Sequence, residues 1–466
     1  MAGKHRKHSE VRTTVAKRGG SGVAAAALSI TGLGTAVVTG TTAAVAPNVQ
    51  LMALVSAANS TSQFFAGSSY YGTDWTDVYG TQQVVPFYQG PQGIADAIAS
   101  HQTDTEKTGV TASGWGAGQA GTALGIAAAN GDLDNVGLVI LDNNTNRAGG
   151  GFWTTYYPFA PLLGTTADPT PTDLPDGVTV LDVGYEYNIN GDAPVDPLNP
   201  FALGNSLMAY AYGYGQESSA LDITQDESTG VLTLHQANGE DQILEPGTHY
   251  VVKDGNVVET YPAGDQNSTV FVTVDSGDLP LTRPLRLLPG GDIIANAVDP
   301  LMTDLVDAGY ADGKGTADNP AIPEDPTVTR PMKPFSSLSA LSAGGLQVDV
   351  QEGLQAGQDT ATADIANPTN FITKPLGEAA KLPGISTLTN AVASTSSTNS
   401  TLKTTQTNGS PLTSGNSLLS GLKKPSLGST STASTPGQKF SDRVNDAVSK
   451  VTGGLTKNKT ESNNDN

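Results

Sequence analysis

The spacing of apolar positions changes several times along residues 60–345, and each change marks an element. Val136–Leu141 (VGLVIL) is an unbroken apolar run, the pattern of a strand buried on both faces. Val110–Ser113 and Val178–Tyr185 read as further strands, and Gln63–Ser68 is a short apolar run with strand character. Gln92–Ser100 carries apolar residues at helical spacing, and Ala117–Asn130 predicts a helix of small residues. Strands alternating with helices predict an α/β fold with a mostly parallel sheet flanked by helices. Residues 219–276 switch to a period of two (Leu232, Leu234; Val270, Val272, Val274), with turns at Asn238-Gly239 and Asp254-Gly255. That segment predicts an antiparallel β insertion. Residues 346–386 read as a helical linker. From about 387 to 466 the chain is dominated by Ser, Thr, Asn, Gly and Pro, too poor in large apolar groups to offset its ordering entropy, so a disordered tail is expected. Within it, Phe440, Val444, Val448 and Val451 recur at helical spacing and predict a short amphipathic helix over 440–452.

The first 47 residues have a different logic. Lys4, Arg6, Lys7, Arg12, Lys17 and Arg18 precede a stretch with no charge before Asp74, and Val23–Val45 within it is rich in Ala, Val, Leu and Ile. A basic segment, an apolar segment and the small residues Ala44-Val45-Ala46 form an export signal. Pro47 would hinder cleavage after Ala46, so a retained N-terminal membrane anchor is the alternative. Either places the body outside the cytoplasmic membrane, secreted or held at the cell envelope through its N-terminus.

Charge and composition remove several functions. The 466-residue chain has a net charge of −21 and no cysteine. Its basic residues gather at the two ends, which leaves the body strongly acidic and an unlikely partner for nucleic acid. Without cysteine there is no disulfide, thiol chemistry or thiolate metal site. Asp182, Asp192 and Asp196 do not have the spacing of a known cation loop, so no metal is expected, and no cofactor.

The most informative segment is Val110–Gly121, VTASGWGAGQAG, where a strand runs into glycines and a helix follows. Gly116-Ala117-Gly118-Gln119-Ala120-Gly121 satisfies the dinucleotide-binding pattern G-x-G-x-x-G, with Asp142 ending the next strand. Gly114-Trp115-Gly116-Ala117-Gly118 equally fits the nucleophile elbow G-x-S-x-G, with Gly116 in the serine position.

The rest of the chain favours the second reading. Leu141–Gly151 (LDNNTNRAGGG), Tyr187–Asn199 (YNINGDAPVDPLN), Leu279–Pro289 (LPLTRPLRLLP) and Asp299–Tyr310 (DPLMTDLVDAGY) resemble, in order, segments of the PE-PPE domain, a serine α/β-hydrolase family related to cutinase-like esterases. The resemblance implies an α/β-hydrolase-like body and a Ser-Asp-His triad. Carried across, the triad falls on Gly116, Asp192 and Tyr214, with Asn188 at the position of another family aspartate. Gly116 has no oxygen to attack a carbonyl, and Tyr214 is a poor general base at neutral pH. Ser113, on the strand three residues earlier, is not expected to reach the elbow tip, and His235 and His249, in the insertion, could reach the site but read more readily as surface strand histidines. Backbone oxyanion donors would come from Ala117 and from the loop near Gly67 and Ser68. Trp115, Phe152, Trp153 and Tyr156 form an aromatic cluster, either core packing or the rim of a cleft for an acyl chain. The expectation is a catalytically inactive, exported hydrolase-like protein that binds a lipid or acyl ligand. An esterase with a non-standard nucleophile and a dinucleotide-binding domain are the alternatives.

Overall fold

The computed structural model describes residues 53–59, 67–104, 106–163, 165–213, 221–264, 268–311, 319–380 and 382. The expected signal or anchor, the run at 60–66, Tyr214, the 387–466 tail and its 440–452 helix lie outside the described residues. In chain order the strands are β1 (Ala53–Ala57), β2 (Ser69–Tyr70), β3 (Thr73–Asp74), β4 (Thr81–Val85), β5 (Thr108–Ser113), β6 (Val136–Asp142), β7 (Thr179–Tyr185), β8 (Ile223–Gln225), β9 (Leu232–His235), β10 (Asp241–Leu244), β11 (Thr248–Lys253), β12 (Asn256–Pro262) and β13 (Thr269–Val274). The α-helices are α1 (Trp75–Tyr79), α2 (Gly90–Ser100), α3 (Trp115–Asn130), α4 (Phe152–Thr155), α5 (Pro200–Gly213), α6 (Arg283–Arg286), α7 (Gly291–Asp307), α8 (Ser337–Ala340), α9 (Ala343–Ala366) and α10 (Asn370–Ala380).

Eight strands form one sheet in the order β12-β11-β13-β7-β6-β5-β1-β4, parallel throughout except for the edge strand β12. Strands β5, β6 and β7 are buried on both faces, as the continuous apolar run of β6 requires, while β5 and β7 bury small and polar residues such as Thr111 and Asp182 between their apolar ones. Val110, Ala112, Val139 and Leu141 face one core with α2 and α3, while Leu138, Ile140, Leu181 and Val183 face a second with Tyr70, Tyr71, Trp75 and Tyr79. The connections from β1 to β4 and from β5 to β6 leave in opposite directions along the sheet. The crevice at the carboxyl ends of β1 and β5 is therefore the topological switch point, where open parallel sheets bind ligands.

Two boundaries differ from the sequence reading. The body begins at β1, before residue 60, because its first strand is the buried ALVSA segment rather than the run at 63–68. Residues 219–276 divide. Only β8, β9 and β10 form the separate antiparallel sheet, whereas β11 and β13 pair in parallel inside the main sheet. Val270, Val272 and Val274 do alternate with other residues, but Phe271 and Thr273 between them are buried too, so the alternation did not mark an exposed face. The segment read as a helical linker is helical over α9 and α10, and α9 packs closely on α7, where Gly353 and Gly357 make room for the Ala297 turn. Among the described residues no helix is long and apolar enough to cross a membrane.

Candidate functional site

The switch-point crevice is built on Gly114. Strand β5 runs through Ser113, and α3 starts at Trp115, so a single residue turns the chain from strand to helix. Gly114 takes φ 55° and ψ −122°, the strained elbow conformation that β-carbon sterics penalise. Its N–H donates to the Asp142 carbonyl at the end of β6 (2.8 Å). The elbow thus lies two residues earlier than the sequence reading placed it. In the register the backbone defines, Ala112-Ser113-Gly114-Trp115-Gly116 spans the strand-to-helix turn, Gly114 rather than Gly116 has its turn conformation, and the N–H next along the chain is that of Trp115 rather than that of Ala117.

Gly116 sits in the first turn of α3 and is buried. A β-carbon there would stand 2.9 Å from the Ala58 carbonyl oxygen and 3.2 Å from that of Ala57. Its role is close packing of α3 on the end of β1. Gly118 and Gly121 serve the same purpose against Thr145, Asn146 and Thr170. The dinucleotide pattern therefore lies inside the helix, its glycines filled by neighbouring protein atoms. The acid meant for a ribose, Asp142, is buried and holds two side chains of its own. The Tyr71 hydroxyl donates to Asp142 Oδ1 (2.8 Å) and Ser113 Oγ to Asp142 Oδ2 (3.0 Å). Burial pushes the Asp142 carboxyl above the usual range, while the Tyr71 and Ser113 hydrogen bonds pull it back.

Sequence reasoning missed the residue above the elbow. The Asn190 side-chain nitrogen is 3.1 Å from the β-carbon position of Gly114. Asn190 stands in the loop after β7, where its N–H donates to Asn188 Oδ1 (3.0 Å) and its carbonyl accepts from Phe152 N–H (2.8 Å). Positive φ at Tyr71, Asn143 and Tyr187 accompanies that of Gly114 around the same carboxyl edge. A signal for this was present in the polar runs NNTN and YNIN, since Asn tolerates the left-handed region and bonds its own backbone.

Asp192, the expected acid, is turned away into the protein. Its Oδ2 accepts from Tyr187 N–H (2.7 Å), its Oδ1 is 3.7 Å from buried Arg330, and Gly150 packs against it. Burial raises its pKa to about 8 against the pull of Arg330. Gly67 and Ser68 direct carbonyls, not N–H groups, to their known partners: Gly67 O accepts from Thr111 Oγ1 (3.3 Å) and Ser68 O from Trp75 N–H (2.9 Å). His235 bonds Asp241 (2.7 Å) and Thr224 (2.9 Å) on the small sheet. His249 is buried on β11 against Thr273 Oγ1 (2.8 Å), with its pKa lowered to about 3 by burial and then by Arg147. His101 bonds Asp104 and Gln83.

The three aspartates once considered for a cation are also committed. Asp182 lies 3.4 Å from Arg147 and accepts from Asn144 (2.9 Å), and Asp196 accepts from Ser337, Phe335 and Leu198. Among the described residues no group of three or more His, Cys, Asp or Glu could hold a metal ion.

The aromatic residues do come together. Trp115, the first residue of α3, has ring centroids 5.3 Å from Trp153 and 6.4 Å from Phe152, and Phe152 stacks edge-on to Tyr156 at 4.9 Å. Trp153 and Tyr156 are buried, while Trp115 and Phe152 are half-buried beside the elbow. The cluster is therefore core at Trp153 and Tyr156 and partly open to solvent at Trp115 and Phe152.

An uncharacterised PPE family protein, PPE42, of Mycobacterium tuberculosis is 26% identical over 230 residues, 49% of this chain and 32% of its own length. The chain therefore spans about a third of the length of that relative. No solved structure matches significantly. The PE-PPE domain family model matches residues 88–311, just under half of the chain, and that span, which contains the Gly114 turn, the Asn-rich loops and the aromatic cluster, is similar to a PE-PPE domain.

Proposed function

We propose that this is an exported, non-catalytic protein of the cell envelope whose hydrolase-like cleft binds a lipid or acyl ligand. The observation that carries it is Gly114: the residue in the nucleophile's backbone conformation has no side chain, and Asn190 lies over it. Acyl transfer needs an activated oxygen or sulfur at that point. The cleft's other parts remain suited to binding. Trp115 and Phe152 offer apolar surface, and the first N–H groups of α3 offer donors for a carbonyl or carboxylate. Export rests on the Lys4–Arg18 segment followed by the uncharged stretch to Thr73.

The test uses the full chain. It should displace no p-nitrophenol from short or medium acyl esters, and should bind a fluorescent fatty acid in a manner weakened by Trp115→Asp. Fractionation should place it outside the cytosol. Fatty-acid binding indifferent to Trp115→Asp, or a cytosolic location, would overturn the corresponding half of the reading.

An esterase reading has one observation of its own, the Ser113–Asp142 hydrogen bond beside the elbow, in which a buried carboxylate of raised pKa accepts from a half-buried serine. Covalent labelling of Ser113 by a fluorophosphonate, with ester turnover lost in Ser113→Ala, would establish it in place of the first.

A further inference from the structure

The segment that follows the aromatic rim is apolar and faces outward. Tyr157–Leu163 (YPFAPLL) is a 3-10 helix. Tyr157 is 53% exposed, Phe159 50% and Leu162 77%, with Pro158 and Pro161 exposed between them. The inner side of the same turn is fixed. Ala160 is fully buried, and Tyr156 is buried with its hydroxyl donating to the Pro194 carbonyl (2.8 Å). The outward direction of the large side chains is therefore built in by the residues that anchor the turn.

We propose that this ridge docks on a lipid surface, inserting Tyr157, Phe159 and Leu162 beside the mouth of the cleft. Three features select lipid as the occupant. First, between Arg147 and Asp168 there is no charged residue, and Arg147 itself is buried, so insertion desolvates no ion. Second, an apolar medium penalises free backbone donors, and Pro158 and Pro161 have none, while the Phe159 N–H is already given to the Tyr156 carbonyl (2.9 Å). Third, the area is wrong for a stable protein partner. Three partly exposed side chains contribute roughly 100 Å² each, against about 800 Å² per partner in a standard interface. Aromatic and aliphatic side chains of this kind settle at the membrane–water boundary without needing a complementary surface. The acidic body directs the choice to a neutral rather than an anionic lipid. Phe152 links the ridge to the elbow, stacking on Tyr156 at one side and lying near Trp115 at the other. The inference rests on the acyl-binding reading for its purpose, since a docked ridge would present lipid chains to the cleft.

The experiment places a reporter in the full chain. The chain has no cysteine, so Phe159→Cys and, on the edge strand β12, Val258→Cys each give one labelling position at an exposed site, and each variant, carrying an NBD fluorophore, is mixed with phosphatidylcholine vesicles that contain spin-labelled lipid. Emission from residue 159 should be quenched and blue-shifted, and emission from residue 258 should not. Because the readout is local, attachment through the N-terminal apolar segment does not produce it. It is also independent of fatty-acid displacement, so failure of cleft binding and failure of docking are separately visible. Equal quenching at both positions, or none at 159, overturns the proposal. So does a blue shift at 159 that depends on protein concentration without lipid, which would make the ridge a contact between copies of the chain.

Discussion

The side-chain nitrogen of Asn190 stands 3.1 Å from the point where a β-carbon on Gly114 would be. A side chain at 114 would meet two obstacles, the positive φ and the Asn190 amide. Gly114→Ser is therefore expected to lose about 1–3 kcal/mol of stability and to gain no ester turnover, because a lone hydroxyl without an imidazole is not activated. Asn190→Ala in the Gly114→Ser background should recover part of the lost stability, since it removes the contact but not the strained φ. Urea melts of the two singles and the double measure the coupling. Turnover by Gly114→Ser alone would mean that a base stands within reach of the elbow.

Gly116→Ser tests the elbow's register. The added β-carbon would press on the Ala57 and Ala58 carbonyls, which are backbone and cannot swing aside. The expected result is a destabilisation of about 1–3 kcal/mol from overpacking, and no labelling by a fluorophosphonate. Asn190→Ala should give this variant no recovery, in contrast to Gly114→Ser. Labelling at residue 116 would return the nucleophile's place to the position read from the motif alone.

Much of the sheet was legible because β6 is a continuous apolar run, and β5 and β7 are short strand-like segments set off from it by helical or turn-rich stretches. The elbow's register was not legible, because ASGWGAG contains three glycines two apart and several pentapeptides fit the motif. Backbone torsion, which sequence spacing does not encode, separates them: Gly114 is strained and Gly116 is helical. Asp192 was misjudged for a related reason. A carboxylate in a matching segment points to chemistry only if it faces the cleft, and Arg330, far along the chain, holds this one inside. The aromatic cluster was legible as a cluster because Phe152, Trp153 and Tyr156 are close in sequence on and beside α4, and Trp115 packs against two of them.

Arg147 gives a prediction about the loop that carries Asn143 and Thr145 to the site. Its guanidinium is 3.4 Å from Asp182 and donates to Thr273 Oγ1 (3.1 Å), beneath Gly184, where any β-carbon would overlap it. Arg147→Ala leaves the buried Asp182 carboxylate uncompensated and should cost about 3–5 kcal/mol. Arg147→Met with Asp182→Leu removes both charges and should recover most of that loss. Thermal melts of the three proteins decide it, and equal melting points for the single and the double would show that the charge pair is not the source.

Asp307 provides a pH signature. It is largely buried on α7, and Tyr187 donates to its Oδ1 (2.7 Å). Burial raises its pKa from 3.8 to about 7, against the Tyr187 hydrogen bond and with help from Glu186 and Asp304. The folded state therefore binds this proton more tightly than the unfolded chain does. The stability it contributes is complete below the unfolded value near 4 and is lost as pH rises through about 7. Asp142, Asp182 and Asp192 are raised as well, so unfolding free energy should fall overall between pH 4.5 and 8. Asp307→Asn keeps an acceptor for the Tyr187 hydroxyl but cannot ionise. Its stability should decline less steeply across that window, by at most about 4 kcal/mol in total. Urea denaturation at intervals from pH 4.5 to 8 compares the two slopes. Parallel curves for the wild type and Asp307→Asn would show that this carboxyl ionises in the folded protein as freely as in the unfolded chain.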